Sequence, residues 1–380
     1  MLAGNYCNIL PLISIFFVGG ILNSLLVKLM LIEKSKNSKG EIADFTKPYF
    51  ITTLQYIGMA TSIFYYIIRC YRNRNNFTNI LKVITLKEFF CYAIPAFADV
   101  FQGIISTITV EFVGVSIDCM MKGGTLIGVT VISQFVFKNH VFNYQWFSVG
   151  LIALSLVIIG LSSVINSNKT DIIKVDKCWD IIIIVLKLIS QFVYSIKISY
   201  EEYLTKKVNH DEALITGIEG IWATLFSFIL VFISNFMPGK EGNGLSENFK
   251  DTLVMIGNST LLKILIPILI ALSLIYNINS VILISKTSGV TRTLAETFRN
   301  FIIWIIQIII YYLFANSTNL IKYKGIGEQW LDGSYLQFFG YLIMFFGIIE
   351  HHGFPKLPFF DYDESKDSGI SDLSEDLVSE

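Results

Sequence analysis

Apolar and polar positions along this chain fall into long blocks rather than short alternations. Ten blocks are nearly continuous in apolar residues: Ile9 to Leu31, Tyr49 to Cys70, Phe89 to Val110, Gly114 to Phe137, Gln145 to Ile165, Trp179 to Tyr200, Ala213 to Phe236, Leu261 to Ser285, Val290 to Phe314 and Tyr335 to Ile349. Most come close to the about 20 residues that a helix needs to cross the hydrocarbon core of a bilayer. The last block is shorter and must borrow Glu350 and its neighbours at the interface, or tilt less than the others. Runs such as Ile181 to Leu186 and Ile302 to Leu313 lack the strict two-residue alternation of a membrane barrel. The pattern predicts an all-α membrane protein with ten transmembrane helices.

A polar stretch divides these helices five and five. Residues 1–165 form a first five-helix repeat, 166–178 a link, 179–352 a second repeat, and 353–380 a disordered acidic cytosolic tail. The two halves close alike, with a span ending at Phe137 and then Gly150 in the next, and a span ending at Phe314 and then Gly340 in the next. An odd number of helices per repeat turns the second copy upside down in the bilayer. That plan recurs in secondary transporters, whose solute site lies near the midplane between the repeats.

Composition supports the membrane reading. Hydrophobic residues make up 53% of the chain, charged residues 16%, and mean hydropathy is +0.60, against roughly 45–50% and 25% in soluble domains. A formal net charge of -1 gives no reason to expect a nucleic-acid partner. The five cysteines show no metal or disulfide spacing, and no cofactor is implied. The first block is longer than a signal-peptide core and lacks a basic flank and a cleavage site, so it is expected to be a retained helix. The densest basic cluster, Arg69, Arg72, Arg74, Lys82 and Lys87, places the link after the second span in the cytosol. Both termini are then cytosolic.

Charged groups deep in a bilayer cost at least about 2.5–3.5 kcal/mol each on insertion scales and need a reason. Three spans carry them at helical spacing: Asp99, Gln102 and Ser106; Asp118, Lys122 and Thr125; Arg292, Glu296 and Arg299, with Asn300 and Gln307 nearby. Three such stripes are expected to face one another around a cavity. Asp118 could instead neutralise Lys122, and Glu296 both arginines, as structural pairs; open amide and hydroxyl groups then remain. Lys28, Lys187 and Lys197 sit nearer helix ends and read as interfacial. Asn23, Gln55, Asn277 and Asn279 suit either a cavity wall or helix–helix contacts, and Glu219 either a proton-binding carboxylate or a partner for a cation. Gly124 and Gly128 are spaced for close helix packing, and Gly19 and Gly20 lie together in the first span.

These residues lie within segments that resemble the solute carrier 35 (nucleotide-sugar-transporter-like) family, subfamily F type, of the drug/metabolite transporter superfamily. The segments are G-I-L-N-S-L-L-V-K (Gly20 to Lys28), P-Y-F-I-T-T-L-Q-Y-I-G (Pro48 to Gly58), P-A-F-A-D (Pro95 to Asp99), M-M-K-G (Met120 to Gly123), Y-E-E-Y-L (Tyr200 to Leu204), G-I-E-G (Gly217 to Gly220) and T-R-T-L-A-E-T-F-R-N-F-I-I-W (Thr291 to Trp304). The resemblance implies the drug/metabolite transporter fold, an endomembrane location (Golgi, lysosome or vacuole) and transport of a small organic metabolite. It carries Asp99, Lys122 with Gly123, Arg292, Glu296 and Arg299 into a central cavity. The family pattern usually has Arg before that glycine, and Lys122 keeps the charge but loses the bidentate fork.

The sequence therefore points to alternating-access transport. Asp99, Gln102, Lys122, Gly123, Asn277, Arg292, Glu296 and Arg299 are expected at the solute, and Asp118, Glu219, Asn23 and Gln55 in proton or structural roles. Cations in excess of carboxylates suit an anionic, nucleotide-sugar-like solute. Proton-coupled export of cationic solutes or drugs is the alternative, as is a non-transporting adaptor acting through the acidic tail. An intramembrane enzyme would need a nucleophile with a positioned base or a metal set, and all four histidines fall in links or at the end of the last span. Membrane lipid and a small-molecule solute are the expected partners, with the protein a monomer or a homodimer.

Overall fold

The computed structural model describes residues 2–72, 85–112, 115–138, 141–166, 177–208, 210–236, 246–315, 321–353 and 356–360. Most of the expected link at 166–178 and of the acidic tail, together with Arg74, Lys82 and His140, lies outside the described residues.

The first apolar block forms α1 (Leu2–Leu31). A short antiparallel hairpin follows, β1 (Lys34–Lys36) against β2 (Ile42–Asp44), with Lys34 opposite Asp44. Gly40 supplies the positive φ of 84° that its turn requires. The second block is α2 (Pro48–Ala60) and α3 (Ser62–Arg72), joined through Thr61. Proline opens α2 at a position where its missing N–H costs nothing. In its first turn the N–H groups of Tyr49 and Phe50 donate to the buried Glu247 carboxylate at 2.9 and 3.0 Å.

The third block is a short α4 (Leu86–Cys91) leading into α5 (Ala93–Phe112). Thr85 and Glu88 cap α4 reciprocally. The fourth block departs from the expected uninterrupted span. It breaks at Lys122 and Gly123 into α6 (Val115–Met121) and α7 (Gly124–Phe135). A Cβ on Gly123 would stand 2.7 Å from Met344 Sδ, so a larger residue at the break would require that methionine side chain to shift.

The remaining blocks form α8 (Asn143–Asn166), α9 (Lys177–Lys206), α10 (Glu212–Ser234), α12 (Thr260–Lys286), α13 (Gly289–Ala315) and α14 (Asp332–His351), with a surface helix α11 (Phe249–Asn258) before α12 and a 3-10 turn at Ile321–Ile326 before α14. Asp211, Asn248 and Ser259 cap α10, α11 and α12 with their side chains. Nine helical segments among the described residues are long and apolar enough to cross a membrane, and the bent α6–α7 pair is not one of them. The protein is a multi-pass, helical membrane protein.

Packing is inside-out relative to a soluble domain. Leu154, Val157 and Leu161 of α8 and Ile182, Val185 and Ile189 of α9 are exposed on the outer surface, whereas Lys187, Gln191 and Glu219 are buried. Helix α8 lies along α14, α5 along α9, α1 along α12 and α2 along α10; α2 also meets α12, α5 meets α10, α7 meets α9 and α1 meets α13. The glycine faces are filled within the chain. Gly124 and Gly128 receive Leu156 and Ser195, Gly20 receives the Arg299 side chain, and a Cβ on Gly58 would come within 2.5 Å of the Ile270 carbonyl oxygen.

Candidate functional site

A cavity of about 730 Å³ lies between these helices. It is walled by α1, α2, α5, α6, α9, α12 and α13, and it reaches the surface beside exposed Asp44 of the hairpin. Its inner end stops at Tyr56, Asp99, Tyr194 and Lys197.

Two groups of cations contribute Lys122 and Arg299 to the cavity wall. On the bent helix, Asp118 accepts from Lys187 of α9 at 2.5 Å and lies 3.5 Å from Lys122. Lys187 also donates to Ser106 of α5, whose hydroxyl accepts from Gln102 at 2.7 Å. On α13, Glu296 pairs with Arg292 at 2.6 Å and with Arg299 at 3.2 Å. Each carboxylate therefore faces two cations, so each group carries an excess of positive charge.

Arg299 is held as a platform. Its guanidinium lies 5.2 Å from the Phe16 ring centre and 4.9 Å from that of Tyr276, an arrangement worth about 0.5–2 kcal/mol per face depending on desolvation. Its Nε and Nη1 have no hydrogen-bond partner among the described residues. A buried, stacked guanidinium with open donors suits a planar or multidentate oxyanion. Lys122 is the more accessible cation, with its side chain 27% exposed against 0% for Lys187.

Asp99, Gln102, Lys122, Asn277, Glu296 and Arg299 all line the cavity, as do Asp118, Asn23 and Gln55. Asn23 and Gln55 bond to each other at 3.3 Å, and Asn277 donates to the Ser273 carbonyl. Three expected residues stand elsewhere. Gly123 packs against Met344. Arg292 is fixed by Ser280, Tyr194 and Glu296 behind the wall. Glu219 is buried beyond the inner end.

Lys187 and Lys197 overturn their interfacial reading, being 0% and 4% exposed and paired with Asp118 and Asp99. Lys28 is partly buried and donates to the Ile326 carbonyl at 3.2 Å. The signal for the first two was present in the sequence. Lys187, Gln191, Tyr194, Lys197 and Glu201 recur every three or four residues along α9 and form a fourth polar stripe. Tyr56, Tyr276 and Phe16 carried no such signal, because an aromatic residue in a membrane helix gives no sign of which way it faces.

No family model matches the chain. It is 23% identical over 280 residues to an uncharacterized protein of Schizosaccharomyces pombe, covering 72% of this chain and 78% of the relative. It is 21% identical over 215 residues to solute carrier family 35 member F6 of Rattus norvegicus and of Mus musculus. The chain is similar to a solute carrier. That match spans 55% of this chain and 57% of each mammalian relative.

Proposed function

We propose that the protein is a secondary transporter of the solute carrier 35 type, moving a small organic anion across an endomembrane by alternating access. The observation that carries this reading is the cavity itself. It is of solute size, its mostly apolar surface set with charged and amide side chains, open at the hairpin end and closed at the other, with the open donors of Arg299 and the partly exposed ammonium of Lys122 in its wall. Pockets of roughly 300–1,000 Å³ suit small ligands.

The helix pairings support an inverted repeat. Exchanging each helix of the first half for its counterpart five spans later turns the α5–α9 contact into α12–α1 and the α2–α12 contact into α10–α5, while α8–α14 and α2–α10 map onto themselves. Taking α6–α7 as the fourth span, the chain has ten crossings. With the basic stretch at Arg69 and Arg72 in the cytosol, the hairpin end faces the lumen, and the described conformation is lumen-open.

The experiment is uptake by the purified, reconstituted protein, screened first by thermal stabilisation with nucleotide sugars, phosphorylated metabolites, amino acids and cationic drugs. An anionic class should stabilise the wild type and lose its effect in Lys122→Ala and Arg299→Ala. Unchanged uptake by both folded variants would overturn the reading, and stabilisation by cations alone would move the solute contact to Asp99.

A further inference from the structure

The inner end of the cavity carries a second charge group that contact with an anion does not account for. Asp99 of α5 accepts from Lys197 of α9 at 2.5 Å, and the same ammonium lies 3.7 Å from Glu201 one turn further along α9. Glu219 of α10 completes the group. It is 0% exposed, no donor reaches either of its carboxylate oxygens among the described residues, and the Glu201 carboxyl group lies within hydrogen-bonding reach of it. The charged groups acting on it are Glu201, Lys197 and Asp99.

Two buried carboxylates, Glu201 and Glu219, and the partly buried Asp99 thus share one ammonium. Among the described residues, the other ionisable groups around Glu219 add no further lysine or arginine, and the His210 imidazole is bonded to the Tyr92 hydroxyl at 2.7 Å. Tyr92 beside α5 and Tyr200 of α9 are phenols, and Tyr56 of α2 faces Asp99 and Lys197. Arg69 of α3 pairs with Asp211 at 3.2 Å, Glu212 of α10 accepts from Ser285 of α12, and Arg292 of α13 is held by Glu296. Facing carboxylates in a dry site do not both remain ionised; one of them keeps a proton. An ionised Glu219 with no donor would carry the full desolvation penalty of its charge.

The position of the group matters as much as its charge. Asp99 belongs to the first half of the chain and Lys197, Glu201 and Glu219 to the second, and Asp99 and Lys197 form part of the cavity wall. Opening the closed end requires α5 and α9 to separate, which breaks the Asp99–Lys197 pair. The ammonium is then released toward Glu201 and Glu219.

We propose that the Glu201–Glu219 pair is a proton-binding site whose occupancy is coupled to opening of the closed end, so that solute movement is driven by or exchanged with protons. This rests on the transport reading above. The proton leaves a carboxyl oxygen for water entering the opened end, and Lys197, freed from Asp99, replaces it as counter-charge. On return, the carboxyl group is reprotonated from water and Lys197 goes back to Asp99. No bond other than O–H changes.

The test reads the proton without any solute. Infrared spectra of the purified full chain in lipid nanodiscs at neutral pH should contain the carbonyl band of a buried protonated carboxylic acid, lost in Glu219→Gln or Glu201→Gln. A folded wild type with no such band, or a band untouched by both substitutions, overturns the site. Cys119, which lines the cavity, reports the coupling once Cys7, Cys70, Cys91 and Cys178 are replaced. Its maleimide labelling, normalised to the same thiol in denaturant, should change with pH in the wild type and lose that dependence in Glu219→Gln, with Asp99→Asn as a second variant. A pH dependence retained in both folded variants overturns the coupling. Because neither readout uses a solute, loss of the anion reading leaves the proton result standing, and the reverse.

Discussion

Lys187 and Asp118 meet at 2.5 Å across α9 and the bent helix α6, with the lysine side chain wholly buried. The contact ties the two halves of the chain together, and it leaves Lys122 as the more exposed partner of the same carboxylate at 3.5 Å. That asymmetry has measurable consequences.

Asp118→Asn leaves two ammonium groups without their carboxylate, whereas Lys187→Met leaves Asp118 paired with Lys122. Losing the carboxylate should cost about 3–5 kcal/mol, the usual penalty for stranding buried charge, and losing Lys187 clearly less. Thermal unfolding of the detergent-purified variants, followed by gel filtration, checks the order. Equal losses would show that Lys122 does not compensate.

Arg299→Lys retains the charge and gives up both ring faces and the fork. Cation–π contact is worth about 0.5–2 kcal/mol, so solute affinity should fall by roughly threefold to thirtyfold with folding yield unchanged. The comparison is KM in reconstituted vesicles.

Gly20 and Gly58 separate function from stability. A Cβ at Gly20 would stand 2.6 Å from Cδ of Arg299, whose side chain forms part of the cavity wall, while one at Gly58 would strike the Ile270 backbone of α12. Gly20→Ala should therefore impair transport in a folded protein. Gly58→Ala should lower the unfolding temperature, at about 1–3 kcal/mol for forced overpacking.

Glu328, in the polar segment between α13 and α14, is pushed up from 4.5 to about 7 by burial, with Lys28 acting in the opposite direction. The folded state therefore holds this proton more tightly than the unfolded chain. Stability is highest below about 4.5, falls as pH rises toward about 7, and is flat above. The slope should be absent from Glu328→Gln. Unfolding temperatures of the two proteins across this range give the answer.

Removing Asp361 to Glu380 should leave transport intact, since the residues that line the cavity lie upstream. Loss of uptake by a correctly located truncated protein would instead favour the adaptor reading.

Much of the architecture was legible because a bilayer imposes a strong rule: unpaired backbone groups are excluded from its core, so long apolar blocks become helices. Helices α1, α8 and α12 to α14 follow the blocks closely. The last block reached crossing length as expected, from Asp332 to His351, although its Glu350 is buried rather than interfacial. The fourth block was misread as continuous because apolar composition says nothing of a bend, and Lys122–Gly123 marks where the helix stops. Of the charged stripes, the three that were read do converge. The one on α9 was missed because its lysines were judged by distance from a helix end, as if a long side chain always reached for water.

By itself, the sequence determined the membrane-spanning helices and placed charge inside them, because apolar length and helical period are local properties. It did not determine which charge meets which. That was decided in the folded chain, where Lys187 joins Asp118 over a separation of 69 residues and Lys197 joins Asp99 over 98. In a low-dielectric interior, a cation settles on the carboxylate that the packing brings within reach. So a chain whose stripes suggested a surplus of cations holds a cationic wall and, at the closed end, three carboxylates around a single lysine.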